Sequence, residues 1–261
     1  MSQRPMITLT TDFGVGSPYV AEMKAAILCR CPDAYLVDIT HAVPPQDIRS
    51  GAITLHDVTP GFPADTIHIA VIDPGVGTER AVVAARIGEQ RYVAPDNGLL
   101  SLLESKQACS ELWKLDRDQF WRKPTSSTFH GRDIMAPVAA HLALGVKFAE
   151  LGSPHAQLEA LNWPQPKADA NSLSGQIWMV DSFGNLVTNI ERAQLPTDLH
   201  QLEVAIRCGG IAGIKLLRSY AAAAPGEVIA LFGSSDRLEI AVNQGSASEQ
   251  VGAAVGDEVQ V

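Results

Sequence analysis

From residue 6 to residue 151, short apolar runs alternate with stretches of helical spacing. Residues 6–11 (MITLTT) form a β-rich run that stops at Asp12-Phe13-Gly14. Residues 19–31 then align Val20, Met23, Ala26 and Ile27 on one side of a helix. Residues 35–39 read as a strand, and residues 47–59 as a second helix with Ile48, Ala52 and Leu55 together. The run TIHIAVI at 66–72 closes on Asp73-Pro74-Gly75, and residues 82–87 and 91–94 read as the next strands. Nearly continuous apolar strands separated by helices predict an α/β domain, its mostly parallel sheet covered by helices on both faces. Ligands of such sheets gather beyond the carboxyl ends of the strands. Asp12, Asp73 and Asp96 each stand just after a strand-like run, so chemistry is expected there.

The texture changes between residues 152 and 172, where Pro154, Pro164 and Pro166 interrupt it. A linker is expected there, joining an α/β domain at 1–151 to a smaller domain at 173–261. The latter reads as short strands at 176–180, 186–190, 202–207, 227–232, 238–242 and 258–261. That pattern predicts a small all-β barrel or sandwich.

Composition narrows the function. The 261 residues are 46% hydrophobic and 19% charged, enough apolar content for a real core. Lys and Arg total 20 against 29 Asp and Glu, a net charge of −9. Without a basic surplus, general nucleic-acid binding is not expected, but a cationic small molecule suits an acidic chain. Pro5 and Asp12 leave no apolar core for a signal peptide, and the apolar stretch at 134–146 is too short to span a bilayer. Cys29, Cys31, Cys109 and Cys208 contain no Cys-x-x-Cys pair, so reduced packing thiols and a cytoplasmic location are expected.

Two segments concentrate chemistry in the first domain. DPGVGTER (73–80) is a tight loop after a strand, suited to close backbone approach to a ligand. It lacks the endings of a P-loop or a dinucleotide fingerprint, and a plain turn is the competing reading. In STFHGRDIMAP, Asp133 reads as a helix N-cap and Pro137 as a first-turn residue, which places His130 and Gly131 at a helix entrance. His41 is a weaker candidate. Asp12, Asp73, Asp96 and His130 lack zinc-type spacing, and Arg80 would oppose a cation, so no metal is expected. No Gly-x-Ser-x-Gly elbow supports a serine hydrolase. In the second domain, VDSFGNLVTNI and GSSDRLEIAVNQGSA pair aromatic and amide side chains suited to a purine, or form two ordinary hairpins.

Taken in order, TTDFG (10–14), PPQDIRSGA (44–52), DPGVGTER, APDNGLLS (94–101), FHGRD (129–133), FGNLVTNI (183–190) and RLEIAVNQGSA (237–247) resemble one family. It is the S-adenosyl-L-methionine (SAM) hydroxide adenosyltransferases, relatives of the SAM-dependent fluorinase and chlorinase. The resemblance implies hydrolysis of SAM to adenosine and L-methionine, with SAM as substrate and no cofactor. It implies a homotrimer with the site at the subunit interface. Asp73, Arg80 and His130 would be the catalytic set. Asp12 would meet the ribose hydroxyls, with Phe13 and Gly131 beside it. Asp181 would meet the methionine ammonium, Phe183 and Asn185 the adenosine, and Ser234 and Asn243 would complete the substrate contacts. Halogenases carry an uncharged residue at the Asp73 position. The fluorinase carries a halide-contacting serine at the Gly131 position and aromatics at those of Gln46 and Val187. A carboxylate at the point of attack repels halide, which favours hydrolysis over halogenation. A non-catalytic SAM binder is the remaining alternative.

Overall fold

The computed structural model describes residues 4–170, 172–196 and 206–261. The chain divides into two compact units between Asn162 and Trp163, inside the Pro-rich stretch.

In the first unit, β1 (Met6–Thr11) leads to α1 (Pro18–Leu28), β2 (Tyr35–Thr40), α2 (Ile48–Val58) and β3 (Ile67–Val71). The hairpin β4 (Val82–Ile87) and β5 (Gln90–Pro95) follows, then α3 (Ser101–Lys106) and β6 (Cys109–Lys114). The unit closes with α4 (Ala136–Ala143), α5 (Phe148–Leu151) and β7 (Ser153–Pro154). Local chemistry starts the helices. Ser17 accepts the Tyr19 N–H ahead of Pro18 at the first position of α1, and Asp47 accepts the Ser50 N–H at 3.0 Å to cap α2.

Among the described residues the sheet has seven strands, ordered β2-β1-β3-β5-β4-β6-β7. It is parallel from β2 to β5 and antiparallel from β5 to β7, so the sheet is mixed. Alternation along β1 and β3 sends Ile7, Leu9, Ile67, Ile69 and Val71 to one face, where they are buried with Met23 and Ile27 of α1 and Val138 of α4. The opposite face carries Thr8 and His68, joined at 2.7 Å. Each fully buried Ile or Leu in such a layer contributes roughly 1.5–3 kcal/mol. The rigid centre therefore lies under β1 and β3, the strands whose carboxyl ends carry Asp12 and Asp73.

The second unit begins with β8 (Lys167–Ala168), β9 (Leu173–Val180) and β10 (Leu186–Glu191). It continues with β11 (Ile206–Cys208), β12 (Ile211–Leu216), β13 (Val228–Phe232), β14 (Arg237–Val242), α6 (Ala247–Val251) and β15 (Glu258–Gln260). Residues 202–205 of the strand expected at 202–207 lie outside the described residues. Neighbouring strands run β10-β14-β13-β12-β11-β15-β9, and β9 pairs back with β10, which closes a seven-strand barrel among the described residues. Closure leaves the ring without a free edge. Leu173, Ile177, Leu186, Ile190, Ile214, Leu238 and Ile240 fill its core.

Candidate active site

Because β1, β3 and β5 run parallel, Asp12, Asp73 and Asp96 leave the sheet at the same edge. Asp12 and Asp73 line a cavity of about 270 Å³ together with Phe13, Gln46, His130 and Gly131. Asp96 is spent elsewhere. It meets His155 Nε2 at 2.7 Å and accepts the Glu159 N–H at 2.7 Å. Asp12 accepts the backbone N–H of Gln46 at 2.8 Å, and Gln46 holds a φ of 66°, unusual for a residue with a side chain. That strained loop aims the Asp12 carboxylate. Phe13 packs edge-on against Phe129 and Tyr19 beside it.

Arg80 does not itself line the cavity but ties two of its lining residues, Asp73 and His130, together. Its Nε donates to Asp73 Oδ1 at 2.7 Å and its Nη2 to Asp73 Oδ2. Nη2 also lies 3.0 Å from His130 Nδ1. A guanidinium only donates, so Nδ1 accepts and a neutral ring carries its proton on Nε2. The side chains of Asp73 and Arg80 are 4% and 10% exposed. In so dry a setting the paired geometry restricts both groups. Burial lowers the His130 pKa, the Arg80 charge lowers it further, and Asp73 and Asp133 pull the other way. The net direction is down, which favours the neutral ring at pH 7.

His130 does not precede a capped α-helix. Residues Gly131–Met135 form a turn of π-helix that runs into α4, and Asp133 lies inside this turn rather than at an N-cap. Asp133 is fully buried. It accepts from Arg122 Nη1 at 2.9 Å, Arg132 Nε at 2.7 Å and the Ser126 N–H at 2.8 Å. Burial alone would raise its pKa, yet the bonds from Arg132, Ser126 and Arg122 bring it down to about 2. This clamp ties the 122–128 loop to the His130 segment. The loop in turn meets DPGVGTER at Gly77, where φ is 82° and an added Cβ would lie 2.6 Å from Ser127 O. Gly131 is packed closely too: a Cβ there would sit 3.3 Å from Met23 Sδ and from both Val71 methyls.

The second unit has its own, larger cavity of about 750 Å³. Asp181, Phe183, Asn185 and Ser234 line it, joined by Arg218, Tyr220 and Glu239. Asp181 closes the β9–β10 turn by accepting the N–H groups of Phe183 at 2.8 Å and Asn185 at 2.9 Å, and the Asn185 side-chain amide at 2.8 Å. Asn243 does not line the cavity. Its amide donates to Ala223 O at 2.7 Å and braces the wall, while Gln244 and Gly245 reach the lining.

Of the site residues expected from sequence, Asp12, Phe13, Asp73, His130 and Gly131 line one cavity and Asp181, Phe183, Asn185 and Ser234 the other, while Arg80 and Asn243 line neither. Thr128 and Phe129 in the first and Arg218 and Tyr220 in the second also line them, outside the expected site residues, as do Gln46, the position of a fluorinase aromatic, and Glu239 of the segment GSSDRLEIAVNQGSA. A glutamate inside the apolar strand RLEIAV was a visible signal among them. His41 contacts Thr11 Oγ1 at 2.9 Å and Asp38 at 3.1 Å and does not line the cavity. Among the described residues, no three His, Cys, Asp or Glu side chains are grouped to hold a metal ion. No described helix is long and apolar enough to cross a membrane.

Comparison with known proteins identifies the family. The family model for the SAM hydroxide adenosyltransferase N-terminal domain matches residues 7–152, and that for its C-terminal domain matches residues 175–260. An (R)-S-adenosyl-L-methionine hydrolase of Thermus thermophilus is 38% identical, over 99% of this chain and 99% of its own. One from Salinispora tropica is 35% identical over 100% and 99%. A fluorinase of Nocardia brasiliensis is more distant, at 29% over 99% and 97%. The crystal structure of an uncharacterized conserved protein from Thermotoga maritima superposes with a TM-score of 0.90 at 33% identity, covering 98% of both chains. With both domain models matched in order across almost its whole length, the chain belongs to the SAM hydroxide adenosyltransferase family.

Proposed function

We propose that this protein hydrolyses S-adenosyl-L-methionine to adenosine and L-methionine, with water attacking the ribose 5′ carbon. The observation that carries this reading is that Asp73 and His130, held together by Arg80, line a cavity that also contains Asp12. The sulfonium is a positively charged leaving group, so the C5′–S bond breaks with its electron pair going to sulfur as neutral thioether. No acid is needed at the leaving group. What the protein must supply is one aimed water and a place for its proton. Asp73 accepts that proton as the O–C5′ bond forms and passes it to solvent. Arg80 fixes both Asp73 oxygens, and His130 closes the set. Asp12 receives the ribose hydroxyls. Phe183 and Asn185 hold the nucleoside, and Asp181 and Ser234 the methionine half.

Because these groups lie in two cavities on separate units, we place one substrate between the first unit of one copy and the second unit of another, in a homotrimer. The curated relatives carry the (R) sulfonium epimer in their names, and we extend that preference to this chain. Four free thiols are consistent with a reducing, cytoplasmic setting.

The test is chromatography of the pure protein incubated with SAM, with and without halide. Adenosine and methionine in equal amounts are expected in both. A halogenated nucleoside would mean a halogenase, and bound but unchanged SAM a binding protein. S-adenosylhomocysteine would mean methyl transfer.

A further inference from the structure

Glu239 sits in the middle of the otherwise apolar strand segment Leu238-Glu239-Ile240 and is 8% exposed. Its Oε2 accepts from the Tyr220 hydroxyl at 3.0 Å. Among the described residues, Oε1 receives no hydrogen bond and neither oxygen has a cationic partner. Arg237, two positions earlier, lies over the Trp178 ring at 4.9 Å. A buried carboxylate facing only a neutral donor is costly, and such groups are normally paired. Burial pushes the Glu239 carboxyl up, the Tyr220 bond opposes this, and the charge of Asp181 adds to it. Among the described residues, no cation neutralises this carboxyl group.

The carboxylate borders the 750 Å³ cavity that Asp181, Tyr220 and Ser234 also line. It lies against the Gly233 backbone, where a Cβ would collide with Oε1. Asp181 already accepts three N–H donors from its own turn. An ammonium group has three donors of its own and needs acceptors that are not yet filled. Oε1 of Glu239 is such an acceptor.

We propose that Glu239 contacts the substrate and, with Asp181, forms a two-carboxylate socket for the α-ammonium of the methionine half. Tyr220 is the positioning residue that holds Glu239 in place. This rests on the reading of the protein as acting on SAM. Arg218 lines the same cavity and makes no ion pair with either acid among the described residues. Two acids and one guanidinium around one space suit a zwitterionic amino-acid head better than a simple amine.

The experiment compares wild type, Glu239→Gln and Tyr220→Phe on SAM and on its desamino analogue, which lacks the α-ammonium. For Glu239→Gln, KM for SAM should rise roughly ten-fold or more with kcat within about three-fold, as expected for loss of a charged hydrogen bond made equally in ground and transition states. On the desamino analogue, wild type and Glu239→Gln should share one KM. Adenosine affinity, measured by calorimetry, should be unchanged. Tyr220→Phe should raise KM for SAM by less, and thermal melts establish that both variants fold. Equal KM increases on the two substrates, a parallel loss of adenosine affinity, or an unchanged KM for SAM would each overturn the proposal. If the wild type forms no adenosine, the activity reading fails. Calorimetry of SAM against its desamino analogue with the same proteins then decides the role of Glu239 by itself.

Discussion

Arg80 grips both carboxylate oxygens of Asp73, so the acid enters the cavity with its orientation already set. The pair is almost dry, and the same guanidinium reaches His130 at 3.0 Å. One cation thus fixes the acid and the imidazole together. Asp73→Asn keeps the shape and removes the proton acceptor, and turnover should fall roughly 10²-fold or more with SAM affinity largely kept. Arg80→Lys keeps the charge but loses the two-pronged grip, and kcat should fall roughly 10- to 100-fold. Steady-state kinetics alongside calorimetric SAM binding check both. An Asp73→Asn enzyme at full rate would remove Asp73 from the chemistry.

Gly131→Ser tests the packing at the cavity wall. Its Cβ would lie 3.3 Å from Met23 Sδ and from the Val71 methyls, so the wall must shift by a few tenths of an ångström. Turnover should drop roughly ten-fold or more, because small displacements of aligned groups are expensive. With Asp73 still present, no halogenated nucleoside should form in chloride or fluoride. Chromatography of the reaction mixtures reads both outcomes.

His68 makes stability depend on acid. It is fully buried, accepts or donates through Nδ1 to Thr8 at 2.7 Å, and stacks on Tyr92. Burial lowers its pKa from 6.5 to about 4, against a raising contribution from Gln90. Below pH 6.5 the unfolded chain takes up a proton at this site that the folded chain refuses. Stability therefore falls as pH drops from 6.5 to about 4, by roughly 3 kcal/mol from this group, and this loss levels off below that. Asp133, lowered to about 2 from 3.8, adds a separate loss only below about pH 4. Urea melts at pH 7, 5.5 and 4.5 should show a shallower decline for His68→Gln than for wild type. Parallel declines would mean that His68 is protonated in the folded protein.

Mixed assemblies test the shared site. Asp73→Asn and Asp181→Asn homo-oligomers should each be impaired. Random co-assembly would restore about a quarter of the sites if each joins two copies of a cyclic trimer. No recovery on mixing would place each site within one copy.

Much of the first unit was legible because parallel strands are written as unbroken apolar runs, and Asp12 and Asp73 follow two of them directly. The antiparallel half of the sheet was less so. Gly88-Glu89 joins β4 and β5 as a two-residue turn with Gly88 at a φ of 57°, a hairpin signal outweighed by the surrounding α/β rhythm. Asp133 looked like an N-cap because its sequence neighbours suit one. Its actual role depends on Arg122, eleven positions back, a partnership local pattern does not encode. Glu239 was visible as a charge in a strand, but which cavity a barrel strand faces follows only from closure of the whole ring. Asn243 shows the reverse case: an amide in the right segment whose hydrogen bond goes to Ala223 and the wall.

Isotope tracing tests the central claim most directly. Wild-type protein converts SAM in ¹⁸O-enriched water, and mass spectrometry locates the label in the products. Attack of water at C5′ predicts one ¹⁸O in each adenosine, on the 5′ hydroxyl, and none in methionine. Adenosine without label, or label in methionine, would contradict it.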